Sequence, residues 1–133
     1  MSTRMCWATR VIDAPADELW ELLVDLDRWP EWGPSVRHAA LHGDRFEVGA
    51  TGGVTTPFGA SVPFEITAFE PGRRWAWKVL GLPATDHTVT PIDPHRCEVG
   101  FGVPLLARPY LLVCDRALER LDHIAASARV SPR

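Results

Sequence analysis

The residue types that could move a proton, bind a metal or attack a substrate are few, and their spacing narrows them further. His87 stands in "ATDHTVTPID", where alternation places it on one face with Val89 and puts Asp86, Thr88 and Thr90 on the other. An imidazole on an apolar face can act as an acid or base, touch a bound molecule without chemistry, or serve as a hydrogen-bonded core residue. Tyr110, at the start of a helical stripe, offers either a phenol to the same space or plain packing. Glu65 faces away by parity and becomes an acid/base candidate only if a bulge shifts the register. His38 and His42 have the spacing of helical metal ligands, but "SVRHAALHG" reads as extended, and four strand residues span about 13 Å. They cannot share an ion. "GASVP" around Ser61 lacks the second glycine of a nucleophile elbow, and there is no H-E-x-x-H motif. "GATGGVTTPFGA" has neither G-x-G-x-x-G nor a Gly-Lys-Ser/Thr ending, so it reads as a hairpin or a bulged edge rather than a phosphate cradle. Arg73, Arg74 and Lys78 read as solvated. Cys6, Cys97 and Cys114 are odd in number, far apart and without a C-x-x-C pair, and read as small buried hydrophobes. No metal or cofactor is expected.

These residues must be positioned by secondary structure, and the hydrophobic period changes twice along the chain. "RMCWATRVID" alternates as a strand. "APADELWELLVDL" has helical period: Leu19, Leu22, Leu23 and Leu26 share a face, Asp13 is the expected N-cap, and Pro15 suits the first turn. Pro30 disfavours a helical conformation at Trp29, so the helix must break or restart there. From Pro34 to about Val103 the pattern is that of an antiparallel meander, with "SVRHAALHG", "RFEVGATGG", "GASVPFEITAFE", "RRWAWKVLG", "ATDHTVTPID" and "RCEVGFGV" as strands. In the hairpin turning at Pro71 and Gly72, parity sends Phe64, Ile66 and Ala68, then Trp75, Trp77 and Val79, to one face. Cys97, Val99 and Phe101 follow on the same side. The last segment, "ARPYLLVCDRALERLDHIAASA", carries a stripe of Tyr110, Val113, Cys114, Ala117, Leu121, Ile124 and Ala128. A long helix must hide such a stripe, and the remaining large apolar surface is the inner face of the sheet. The expected fold is α+β: a curved antiparallel sheet of about seven strands gripping a C-terminal helix, with a helical insert after the first strand.

Trp29 and Trp32, in "DLDRWPEWGP", belong where that insert folds over one end of the sheet. They are either a hydrophobic plug that stabilises the insert or a gate that touches a ligand. Trp20 reads as structural.

Bulk properties exclude other classes. With 133 residues, 46% hydrophobic and 23% charged, the chain is expected to form a single domain over 1–133. A net charge of -3 gives no electrostatic footprint for nucleic acid. The opening "MSTRMCWATRV" lacks a signal-peptide core, and "GFGVPLLARPYLLVC" is interrupted by Arg108 and Pro109 before it reaches the ~18 residues of a membrane span. A cytoplasmic location is expected.

The order strand, "APADELWELLVDLDRWPEW", six strands and long helix resembles the START-like, or SRPBCC, superfamily, especially its bacterial polyketide cyclase/dehydrase-like branch. "ITAFEPGRRWAWKV" is similar to that family's hairpin with Glu-Pro at the turn, whereas Arg96-Cys97 stand where the family often has Gly-Thr. The match runs from about Thr3 to Ala128. The resemblance implies a deep, largely apolar cavity between sheet and last helix, used across the superfamily for lipids, sterols, polyketides or other aromatic molecules. It implies no single chemistry. The candidate ligand-binding set is Trp32, Phe64, Trp75, Trp77, His87, Phe101, Tyr110 and Cys114, with His87 the one catalytic candidate. Three functions stay open: a binder or carrier of a hydrophobic small molecule, a cyclase or dehydratase using His87, and a protein-interaction module with a filled interior. Monomer and homodimer are both open.

Overall fold

The computed structural model describes residues 5–130; Arg4, the first residue of the expected first strand, lies outside them. Seven strands, β1 (Met5–Ile12), β2 (His38–Leu41), β3 (Thr51–Thr55), β4 (Ser61–Glu70), β5 (Arg74–Val79), β6 (Leu82–Asp93) and β7 (Arg96–Pro104), form one antiparallel sheet in the order β1-β7-β6-β5-β4-β3-β2. The meander from β2 to β7 follows from turn chemistry at each corner. At the β4–β5 corner Gly72 takes a φ of 78° and the Arg73 amide closes the turn on the Glu70 carbonyl at 2.9 Å. Between β1 and β2 the chain forms α1 (Ala16–Val24), a 3-10 turn (Leu26–Arg28) and α2 (Trp29–Trp32). After β7 a 3-10 segment (Leu105–Tyr110) leads into α3 (Leu111–Val130), which packs on the inner face against β1 and β7. The expected grip of sheet on helix is present. Leu19, Leu22 and Leu23 of α1 are buried in the same core as Ile66, Trp75, Val89 and Val99 of the sheet and Leu118 and Leu121 of α3.

Several local expectations are corrected by the structure. Pro15, not Asp13, is the N-cap residue of α1, and no side chain caps that end; proline fits there because its missing N–H would have no helical acceptor. Trp29 is helical, with φ -54° and ψ -38°, despite the proline that follows. The helix restarts at Trp29 itself, so Pro30 falls in a first turn where it removes no hydrogen bond. Of "RFEVGATGG" only the part from Thr51 onward is strand; residues 45–49 leave the sheet, and Phe46 folds back against Trp29, Phe69 and Trp75. In β4 the register shifts between Ile66 and Ala68, so Phe69 rather than Ala68 faces Trp75 on the inner side. This bulge leaves Glu65 exposed, because it lies beyond it along the strand. Arg74 is not simply solvated: it forms a double hydrogen bond at 2.9 Å with the buried carboxylate of Asp86 and a third, at 3.4 Å, with Glu70. The helix of the last segment begins at Leu111, leaving Tyr110 in the 3-10 segment, and Leu118 and Ala125 join the buried stripe while Ala128 is exposed.

No helix among the described residues is long and apolar enough to cross a membrane.

Candidate functional site

The interior is organised by cross-strand register. Phe69 pairs with Trp75, Trp75 with His87, and His87 with Phe101, so four inward rings form one row across β4, β5, β6 and β7. Onto this row the insert lowers Trp29, whose ring stacks on Trp75 at 5.3 Å with an interplanar angle of 3°. Trp75 in turn stacks on His87 at 3.7 Å and 12°, giving a continuous pile of indole, indole and imidazole. Trp77 meets the edge of that pile, 5.4 Å from Trp29 and 5.3 Å from Trp75. Trp32 covers its other flank, 6.4 Å from His87 and 5.7 Å from Phe101.

The two tryptophans of the insert are held by their polar edges. The last carbonyls of an α-helix lack intrahelical partners. Here the Trp29 indole N–H donates to the Leu23 carbonyl at 2.9 Å and the Trp32 N–H to the Leu22 carbonyl at 2.9 Å. Each ring therefore closes the C-terminal end of α1 while its apolar body fills the core, with Trp29 1% and Trp32 6% exposed. In contrast, the Trp75 N–H is buried and has no partner.

His87 is fully engaged. Its Nδ1 lies 3.1 Å from the Trp75 carbonyl, which can only accept, so Nδ1 carries the hydrogen. Its Nε2 then accepts from the Thr85 hydroxyl at 3.1 Å, and the Thr85 oxygen accepts from the Trp77 indole N–H at 2.8 Å. Burial pushes the imidazole pKa down to about 3, only partly opposed by the bond to Trp75. The ring is neutral throughout the ordinary pH range. The thiols are equally quiet: burial, with Asp115 nearby for Cys114 and Glu18 for Cys97, pushes each up to about 11, so neither is a ready nucleophile. Among the described residues no three His, Cys, Asp or Glu side chains lie close enough to hold a metal ion.

The space implied between sheet and helix is divided by these rings. An inner cavity of about 40 Å³ is bounded by Trp29, Trp32, Trp75, Trp77, His87, Phe101, Tyr110 and Cys114 together with the 33–36 loop and α3. It has room for about one water molecule. A second pocket of about 330 Å³ opens at the end of the sheet where β3, β5 and β7 finish, walled mainly by valines, alanines and prolines. Ser35, Val36, Trp77, Thr85 and Tyr110 belong to both. At the seam the Ser35 and Tyr110 hydroxyls share a hydrogen bond of 2.6 Å. Burial raises the Tyr110 phenol pKa, with the Ser35 bond working against it, so the phenol stays protonated. A wider groove of about 670 Å³ runs between α1, α2 and α3, but Glu18, Glu21, Asp25, Arg28 and Glu31 line it and it is open to solvent.

Seven of the eight sequence-derived candidates, Trp32, Trp75, Trp77, His87, Phe101, Tyr110 and Cys114, meet at the inner cavity. Phe64 does not: it lies beneath Gly52, packed against Trp29 and Trp77. Trp77 and Tyr110 alone of the set also reach the larger pocket. Thr85 was legible, since alternation from His87 puts it on the same face. Ser35 and Val36 were not, because "SVRHAALHG" reads as strand from Ser35 whereas β2 begins only at His38 and leaves both in the preceding loop.

Residues 7–120 match the sequence model of a family described as polyketide cyclase / dehydrase and lipid transport. No curated protein matches the chain by sequence. Among solved structures, XoxI from Bacillus cereus superposes with a TM-score of 0.76 at 13% identity, over 96% of this chain and 99% of that one. The Zhui aromatase/cyclase from a Streptomyces species gives 0.72 at 14% identity, over 98% of this chain and 97% of that one. The di-domain ARO/CYC protein BexL gives 0.75 at 14% identity, over 97% of this chain and 48% of that one. At these identities the likeness is one of fold.

Proposed function

The chain belongs to the polyketide cyclase / dehydrase and lipid transport family, and from that premise we propose that it binds an apolar, ring-bearing small molecule in the pocket between Trp77, Tyr110 and the open end of the sheet. The observation that carries this reading is the pocket itself: about 330 Å³, at the lower end of the range used for small ligands, with apolar walls and a few hydroxyls in its lining. Such a site suits one or two fused rings or a short acyl chain. A protein-interaction module with a wholly filled interior would have no use for it.

The surroundings of His87 favour binding over acid/base chemistry of the cyclase or dehydratase type. A general base needs a free lone pair within reach of substrate, and both nitrogens of His87 are spent on Trp75 and Thr85. His87 has no second ionisable group among those hydrogen-bond partners. Its role in this reading is to hold Trp75 and, through Thr85, to orient the Trp77 ring that forms a wall of the pocket.

Titration with 2-naphthol and with 1,4-naphthoquinone, followed by tryptophan fluorescence, tests the proposal. Saturable quenching is expected, because Trp77 lines the pocket. Val62→Phe, which enlarges a half-buried wall residue into the open volume, should abolish it while the circular dichroism spectrum is retained. Absence of saturation with both compounds, or full binding by the filled variant, would remove the pocket from the function.

A further inference from the structure

We propose that this pocket takes only uncharged ligands, and that the ligand's oxygen, a phenol, ketone or quinone, is held by the Ser35 and Tyr110 hydroxyl pair; the inference rests on the binding reading above. None of the fourteen described residues that line the pocket carries a charge. The chain segments that supply the lining carry charged side chains beside it, among them the exposed Arg37 and Arg108 and the half-buried Lys78, and none of these belongs to the lining. Three other surface pockets are ordinary, lined by Glu18, Glu21 and Arg28, by Asp93 and Arg96, or by Glu65 and Lys78. The absence of charge is a property of this lining, not of the chain.

Carboxylates need a cation or several donors when taken out of water, and without them the group protonates instead. The donors here are counted easily. Thr85 donates to His87 and accepts from Trp77, so its hydrogen is committed. Ser35 and Tyr110 share one bond between two hydroxyls, which leaves one O–H free and lone pairs on both oxygens. One donor and two weak acceptors fit a neutral oxygen. They do not fit an anion, and fatty acids or aromatic acids bind only in their protonated form.

Matched probes separate these possibilities: naphthalene, 2-naphthol and 2-naphthoate, by calorimetry between pH 7.5 and 6. With a carboxyl pKa near 4.3, about one molecule in 500 is protonated at pH 7. Naphthoate should thus bind at least about 100-fold more weakly than naphthol and gain about tenfold in affinity per unit fall in pH, while naphthol stays flat. Tyr110→Phe and Ser35→Ala should each weaken naphthol by about three- to tenfold and leave naphthalene unchanged. Naphthoate within tenfold of naphthol at pH 7.5, with no pH slope, would overturn neutrality and leave the binding reading standing. Equal losses for naphthol and naphthalene in both variants would overturn the hydroxyl anchor. If no probe binds, the pocket reading falls and this inference with it.

Discussion

Replacing His87 by phenylalanine isolates the energetic consequence of burying a neutral imidazole. In the unfolded chain this group titrates near 6.5, whereas in the fold its pKa lies at about 3. Between those values the unfolded state holds the extra proton, so stability is complete above about pH 6.5 and is lost progressively as the pH falls toward 3. Each pH unit in that window costs about 1.4 kcal/mol. At pH 5 the loss attributable to His87 is roughly 2 kcal/mol, and at pH 4 roughly 3.4 kcal/mol. His87→Phe keeps a flat ring against Trp75 but cannot titrate. The variant should be less stable than the native protein at pH 7.5, because the Thr85 hydroxyl loses its acceptor. That deficit should shrink as the pH drops and reverse sign if it is smaller than the titration term. Urea denaturation of both proteins at pH 7.5, 6, 5 and 4.5 reads the difference directly, and carboxylates common to both cancel. A gap that stays constant from pH 7.5 to 5 would show that the imidazole is not held neutral, and the hydrogen-bond assignment around Thr85 would fall with it.

Two further comparisons bear on packing. A Cβ at Gly52 would meet the Ala40 carbonyl oxygen and lie 2.6 Å from the Phe64 ring, whereas one at Gly102 would lie 2.9 Å from the Trp7 ring. Trp7 is 45% exposed and can swing away, so Gly52→Ala should cost about 1–3 kcal/mol and Gly102→Ala clearly less; equal midpoints in urea would contradict this. Trp29→Phe should destabilise more than Trp75→Phe by about 1 kcal/mol, since only the former breaks a hydrogen bond. The reverse order in thermal melts would refute the capping role given to Trp29.

Period and turn chemistry made most of the scaffold legible. Alternation placed Trp75, Trp77, His87, Val89, Val99 and Phe101 correctly because between corners a strand has only two faces. What alternation cannot register is an extra residue: the shift after Ile66 exchanged Ala68 for Phe69 with no mark in composition. The fate of Trp29 was hidden for another reason. Its indole N–H satisfies a carbonyl six residues back, a contact set by the angle at which the insert leaves α1 rather than by any period. The pairing of Arg74 with Asp86 was likewise invisible, since it depends on the β5–β6 register and on a sheet face crowded enough to bury one carboxylate. The larger pocket escaped because Ser35, Val36 and Thr56 reach it from loops and Ala107 and Tyr110 from the 3-10 segment, none of which has a period to read. Sequence reading put the candidates around the inner space, which the rings themselves nearly fill.

The irregularity in β4 also bears on what lengths this strand can have. Ile66 faces Trp77 and Ala68 faces Ala76, so Thr67 is supernumerary in the ladder. A gene that had lost the codon for Thr67 would encode a flatter strand in which every remaining side chain still points the way it does now. Losing the codon for Glu65 instead would turn one flank of the strand inside out, exposing Phe64 or burying Pro63. Gaps in relatives of this protein should therefore collect at position 67 and avoid its neighbours, and a chain one residue shorter there keeps the same interior.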